Sequence, residues 1–510
     1  MERLVGLDGM FLALESSTTH LHLVGALVFD PTGADGVVDY ARVRRLVASR
    51  VHLVPPFRQR MVEVPFGVQH PAMVDDPEFD LDFHVRRRGI PAPGRLADLA
   101  ELVADIASQP LDRRRPLWEF HVVEGLEGGR LALIPKVHHS IIDGVSAAEV
   151  LAAFFDLSAD PAPRPLFGGG GRGEPVRDGS GRHPGTDSGH VAGPDPGDPS
   201  WHPDPVPGEV QRWRAVLASL PGAADAAVRT VTRTVQSARS LSGRNREVPG
   251  SLPPAPFEAP RTSVNRAISP RRRVAFAELP LADVTRVRSV FGGTTNDVVL
   301  TVVAGAMRTY FAERDEPLDR SLVALVPVSV RDDTERDALG NRLSAVLVSL
   351  STGVEDGPTR LRHIRSGMGS AKDQLGSVGP EVFAGWAQAL VPALATRVSR
   401  LVSNVRLFDH VAPVCNLIVS NVPGPDFPLY LAGARLEAMY PVGPIIEGVG
   451  INITVFSYRD VLYAGVQGCW ELCPDLDVIA RGLTEALAGL VGDADRRDRP
   501  VPWWHAELPA

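Results

Sequence analysis

Near its middle the chain loses the pattern that folding requires. Between Ala159 and Gly208, Pro and Gly supply nearly half of the residues, with runs such as Gly168-Gly169-Gly170-Gly171 and Asp195-Pro196-Gly197-Asp198-Pro199. Such a segment has too little apolar surface to offset the entropy of ordering it. It is expected to be a disordered linker, and it divides 510 residues into two patterned parts, as their number suggests for two domains. The expected organisation is a first domain over 1–158, the linker over 159–208, an amphipathic helical connector over 209–258 and a second domain over 259–510. The connector is read from Trp213, Val216, Leu217, Leu220, Ala227, Val231, Val235 and Ala238, which recur every three or four positions.

The net charge of -8 argues against a general nucleic-acid binder, which needs a clustered positive surface. Two Arg runs stand out against it, Arg113 to Arg115 and Arg271 to Arg273, read either as solvated surface charge or as contacts for phosphate or an anionic headgroup. Three cysteines, Cys415, Cys469 and Cys473, give no disulfide framework and no metal-ligand spacing, so packed thiols and no metal site are expected. Met1 to Leu12 carries no secretion signal, and no apolar run reaches the length of a membrane span. A cytoplasmic protein is expected, with any membrane contact peripheral.

Leu131 to Val137 reads as an apolar strand, and Val145 to Leu157 carries apolar residues at helical spacing. The segment between them holds His138-His139-Ser140-Ile141-Ile142-Asp143-Gly144, of the form HHxxxDG. A strand-to-helix junction can hold a reactive side chain rigidly and still leave it reachable. Successive side chains leaving a strand point to opposite faces, so His138 and His139 are expected to divide into one buried and one facing a cavity. A neutral imidazole can take a proton from an alcohol as its oxygen attacks a carbonyl, which is what acyl transfer requires. Asp143 could orient the imidazole or hold the loop through an ion pair with an Arg. Beyond residue 261, helices over Leu281 to Ser289, Asn296 to Ala312 and Val382 to Asn404 alternate with β-rich runs over Leu322 to Val330, Ala345 to Leu350, Cys415 to Ser420, Gly450 to Ser457 and Val461 to Val466. The fold class is α/β, with mixed sheets.

HHSIIDG resembles the active-site motif of the coenzyme A-dependent acyltransferase superfamily. Within it, the chain looks like the bacterial wax ester synthase/diacylglycerol acyltransferase family. The resemblance runs nearly end to end, skipping the linker. It rests on Leu7-Asp8-Gly9-Met10-Phe11-Leu12 with Thr19-His20-Leu21-His22, and on Pro116-Leu117-Trp118 and Thr295-Asn296-Asp297-Val298-Val299-Leu300. Pro327-Val328-Ser329-Val330-Arg331 and Ser420-Asn421-Val422-Pro423-Gly424-Pro425 extend it. One stretch departs from it: Gly465-Val466-Gln467-Gly468-Cys469-Trp470 stands where a more polar sequence is expected.

The resemblance implies two chloramphenicol acetyltransferase-like domains with an active-site tunnel between them. Acyl-CoA, a co-substrate and not a bound cofactor, and a lipid alcohol would meet there at His139, which deprotonates the hydroxyl. His138 and Gly144 would support the site, and Asp143 would pair with Arg58 to fix the loop. Asn296 and Asp297 stand at a helix start, where they could face an oxyanion or merely cap the helix. Trp118, with Pro116 and Leu117, reads as core, with substrate lining as the other reading. The acceptor would be diacylglycerol or a long-chain fatty alcohol, reached at a membrane or lipid-droplet surface. Two other readings are a condensation-type enzyme with a carrier-protein-bound donor and a non-catalytic lipid-surface protein. The intact HHxxxDG disfavours the second of these, and the remaining motifs the first.

Overall fold

The computed structural model describes residues 2–3, 7–63, 71–142, 147–160, 254, 257–329, 343–378, 409 and 412–498. Nearly all of the expected linker and connector, the expected helix Val382 to Asn404, and Asp143 and Gly144 of the motif lie outside these residues.

The described strands are β1 (Glu2–Arg3), β2 (His22–Asp30), β3 (Gln59–Val62), β4 (Ala72–Asp75), β5 (Val85–Gly89), β6 (Trp118–Glu124), β7 (Leu131–His138), β8 (Arg272–Pro280), β9 (Val323–Ser329), β10 (Leu343–Ser349), β11 (Leu417–Val422), β12 (Tyr430–Leu431), β13 (Ala434–Val442), β14 (Ile451–Tyr458) and β15 (Val461–Cys469). Two six-stranded mixed sheets dominate. The first runs β12-β13-β2-β7-β6-β5, with β5 parallel to β6 and the other pairs antiparallel. The second runs β10-β9-β11-β14-β15-β8, with β11 parallel to both of its neighbours.

Each sheet has its own core. In the first half, Phe57, Trp118, Phe120 and Phe154 interlock, with the Phe57 and Trp118 rings stacked at 4.7 Å. In the second half, the helix Thr295–Ala312 is apolar on nearly every side and is buried along its length, as a helix of that composition must be. Its first turn is closed by a capping box in which Thr294 and Asp297 each accept the other's backbone N–H, so orphan donors at the helix start are paired. It packs closely on the C-terminal helix Leu476–Asp498, because Gly305 and Gly482 meet Ala486 and Ala306 where a Cβ would come within 2.7 and 3.0 Å of those residues.

Two features tie the halves together. The helix Leu96–Ser108 ends between the first sheet and β8: the Ala107 carbonyl accepts from His22 Nε2 (3.1 Å), the Gln109 carbonyl from Lys136 Nζ (2.6 Å), and Ser108 Oγ from the Arg272 amide (2.9 Å). Carbonyls left over at a helix C-terminus favour such donors and positive charge. The second feature is β13, which lies far along the second half yet pairs antiparallel with β2 from Arg435↔Asp30 to Val442↔Val24. Where it passes β15, the Pro441 carbonyl oxygen sits 1.7 Å from the position a Cβ would take on Gly465, so no larger residue fits there.

Candidate active site

The two histidines of the motif part company where β7 ends. His138 is the last residue of β7, pairs with His22 across the β2–β7 ladder and is 1% exposed. His139 opens the short helix His139–Ile142 and is half-buried. Both backbones are pinned, His138 N–H to the Leu117 carbonyl and His139 N–H to the Leu21 carbonyl, each at 2.9 Å.

His138 Nδ1 accepts the Ser140 amide (3.1 Å) and lies 2.7 Å from the Ser140 hydroxyl, which leaves the ring proton on Nε2. That nitrogen faces Glu15 Oε1 at 3.8 Å, and Glu15 is itself held by Arg113 at 2.6 Å. Burial, then the charge of Arg113 and of His139, pushes His138 down to about 3. It is a buried ring held neutral by its surroundings.

His139 is positioned from the opposite end of the sequence half. The helix Leu7–Leu14 packs on its short helix, and the Phe11 ring stacks on the imidazole with centroids 4.2 Å apart. The conjunction of the opening motif with HHxxxDG is therefore a physical contact. Two further imidazoles, His20 just before β2 and His22 at its start, have ring centroids 5.7 Å apart. His20 is pushed down to about 4 by burial, with Arg272 and Lys136 adding to it. His22 is lowered well below its usual range by burial and Lys136. Three of these four rings are thus kept neutral in the interior, and His139 is the one with access.

The face of the first sheet that carries His22 and His138 also carries Lys136, Glu119 and His121, since Glu119 pairs with Lys136 across the β6–β7 ladder. All are under a tenth exposed. Burial pushes Lys136 down to about 8. Burial opposes the charge of Glu119 too, yet His121, Lys136 and Arg86 together pull its carboxyl below the usual range. Arg88 Nε, His121 and Glu119 form a chain at 3.2 and 3.1 Å.

Arg58 ends a short 3-10 turn, Pro55–Arg58, and is half-buried; its expected partner Asp143, like Gly144, lies outside the described residues. Asn296 is half-buried at the start of its helix, whereas Asp297 is 4% exposed and engaged in the capping box. Pro116 is buried, Leu117 and Trp118 are wholly so, and the Trp118 indole N–H donates to the Phe57 carbonyl at 2.8 Å, a packed environment with its polar atom satisfied. Cys415, Cys469 and Cys473 are buried free thiols. Among the described residues no group of three or more His, Cys, Asp or Glu is placed to hold a metal ion, and no single helix is long and apolar enough to cross a membrane.

Residues 4–299 match the wax ester synthase/diacylglycerol acyltransferase catalytic domain, and residues 339–490 match the C-terminal domain of the same family. The chain belongs to the wax ester synthase/diacylglycerol acyltransferase family. Among its relatives are two proteins of Mycobacterium tuberculosis that carry the name diacylglycerol O-acyltransferase. One is 35% identical over 98% of this chain and 92% of its own length; the other is 33% identical over 96% and 99%. The solved structure of the wax ester synthase/diacylglycerol acyltransferase from Marinobacter aquaeolei VT8 matches 97% of this chain and 100% of its own, at 28% identity and a TM-score of 0.65. The first condensation domain of the calcium-dependent antibiotic synthetase matches at 15% identity, with a TM-score of 0.52 over 96% of this chain and 97% of its own, a likeness of fold alone. The two-domain acyltransferase fold and an acyltransferase activity follow from the family.

Sequence reasoning named the motif but missed its setting. Phe11 and His20 were visible as parts of matching motifs, without roles. Glu15, Ser140, Lys136 and Glu119 were not singled out, although Lys136 interrupts the apolar run Leu131 to Val137, which is a readable sign of a buried polar partner.

Proposed function

We propose that this member of the family transfers a long-chain acyl group from acyl-CoA to the free hydroxyl of diacylglycerol, and to long-chain fatty alcohols, with His139 as general base. The observation that carries this is the divided pair: His138 is buried and neutral, while His139 is accessible, backbone-pinned to Leu21 and ring-stacked on Phe11. An imidazole so fixed costs little reorganisation when it accepts a proton. His139 takes the proton of the acceptor hydroxyl as that oxygen attacks the thioester carbonyl. The C–S bond then breaks, the ester forms, and the departing thiolate takes the proton back from His139. No covalent intermediate on the enzyme is needed.

In the same scheme, Asp143 and Arg58 hold the motif loop, and Asn296 approaches the reaction from the second half at the start of its helix. Both substrates reach His139 through a tunnel between the halves, and the acceptor is taken from a membrane or droplet surface by a cytoplasmic, peripheral enzyme. Diacylglycerol is preferred as acceptor in this proposal because both Mycobacterium relatives carry that substrate in their names. The test offers labelled acyl-CoA with diacylglycerol and hexadecanol side by side. Labelled triacylglycerol exceeding wax ester is expected, and coenzyme A release with neither ester formed would overturn the proposal.

A further inference from the structure

The two Arg runs end in opposite situations. Arg113 is neutralised by Glu15 and Glu63, Arg114 by Asp112, and Arg115 lies over the Phe83 ring at 4.2 Å. In the other run, Arg272 is 3% exposed and, among the described residues, its guanidinium donates to the carbonyl oxygens of Thr18, Ser269 and Arg271. Arg271 and Arg273 lie over the ring of Trp470, at 4.3 and 3.8 Å from its centroid. One carboxylate, Glu471, comes within 3.8 Å of Arg271. Arg273 has neither an ion pair nor a side-chain hydrogen bond among the described residues, and its buried Nε has no acceptor. An unsatisfied buried guanidinium N–H in a native fold calls for an occupant. An Arg stacked on an indole keeps its edge donors free and its planar fork already oriented, which suits an oxygen-rich dianion. Trp470 closes the stretch that departs from the family's expected polarity.

The run also lies close to the reaction. Arg272 holds the Thr18 carbonyl, and three residues further on the Leu21 carbonyl holds His139, a span of at most about 11 Å along the chain. From this we infer that Arg271, Arg273 and Trp470 form a docking site for the phosphates at the nucleotide end of the acyl-CoA donor. The inference rests on the acyl-CoA reading above and deepens it. The pantetheine arm then runs from this site toward His139, and Arg272 fixes the loop it passes.

The test compares two donors, the long-chain acyl-CoA and the matching acyl-pantetheine, which carries the thioester without the nucleotide. For Arg271→Gln/Arg273→Gln, kcat/KM on acyl-CoA should fall roughly tenfold or more, as expected for losing charge-assisted hydrogen bonds, mostly through KM. On acyl-pantetheine the variant should match wild type. Equal loss on both donors, or no loss on either, overturns the site while leaving the acyltransferase reading intact. A loss seen only when the acceptor is presented in anionic vesicles, with KM for acyl-CoA unchanged, assigns the site to lipid headgroups and also overturns it. If the double variant does not fold, Arg271→Gln, whose side chain is 59% exposed, carries the same comparison. A severalfold loss confined to acyl-CoA is then expected, and its absence counts against the site.

Discussion

The two six-stranded sheets are alike in size and in mixing parallel with antiparallel pairs, but they bury different things. The first buries ionisable groups, His22, His138, Lys136, Glu119 and His121, on one continuous face. The second packs Val298, Val302, Val303, Ile451, Ile453, Val455 and Leu483 into an aliphatic core. On β14 and β15 the buried amides of Asn452 and Gln467 serve the backbone: Asn452 donates to the Pro444 carbonyl at 2.7 Å and Gln467 to that of Gly443 at 2.9 Å. Burying charge is costly unless it is paired, whereas burying aliphatic surface stabilises outright. The first half therefore gives up stability for a set of imidazoles with fixed protonation, and the second supplies a rigid body that holds β13 and Arg272 against it.

The comparison is tested most severely at His139. His139→Ala should lower turnover by roughly 10² to 10⁴ while melting and acyl-CoA binding stay near wild type. His138→Ala should instead lower stability and activity together. If folded His139→Ala retains near-normal esterification, the division of labour between the two rings is wrong. In the second half, Ile453→Ala should cost about 2 to 5 kcal/mol in denaturant unfolding, with turnover per folded molecule unchanged. A lost kcat without lost stability would mean that the aliphatic core is more than a scaffold.

Acid should act through the first half. The folded values of His20, about 4, and His138, about 3, lie below the unfolded value near 6.5. Between those limits the unfolded chain binds more protons, so the stability these rings contribute is full above about 6.5 and is lost as pH falls toward the folded values. The slope is at most roughly 1.4 kcal/mol per pH unit for each ring. Melting followed from pH 7 to pH 4 should show this decline, and His138→Gln should make it shallower. An unchanged slope would remove His138 from the set. The smallest effect expected is on the capping box, where Thr294→Ala should cost about 1 kcal/mol in stability.

Local pattern was legible where one element's own residues decide it. The expected strands over Leu131 to Val137 and Gly450 to Ser457 are β7 and β14 within one residue, and the expected helix from Asn296 begins one residue earlier, at Thr295. β15 runs three residues beyond its expected end through Gly468, where the absence of a Cβ admits Cys473 in the fold. The pairing of β13 with β2 had no local sign, since a ladder between residues some four hundred positions apart is written in neither strand alone.

From the sequence alone came the two-part chain, the α/β class and the pair of histidines, because composition, periodicity and motif spacing are properties of neighbours along the chain, and the family came from the resemblance of its motifs. Tertiary structure decided which ring is buried and which is half-buried, that Phe11 and Leu21 hold His139, that Arg113 and Arg114 are paired with carboxylates, and that Arg273 Nε has no acceptor among the described residues. Those outcomes depend on desolvation and on donors and acceptors brought together from distant segments, and both are fixed only when the sheets close on one another.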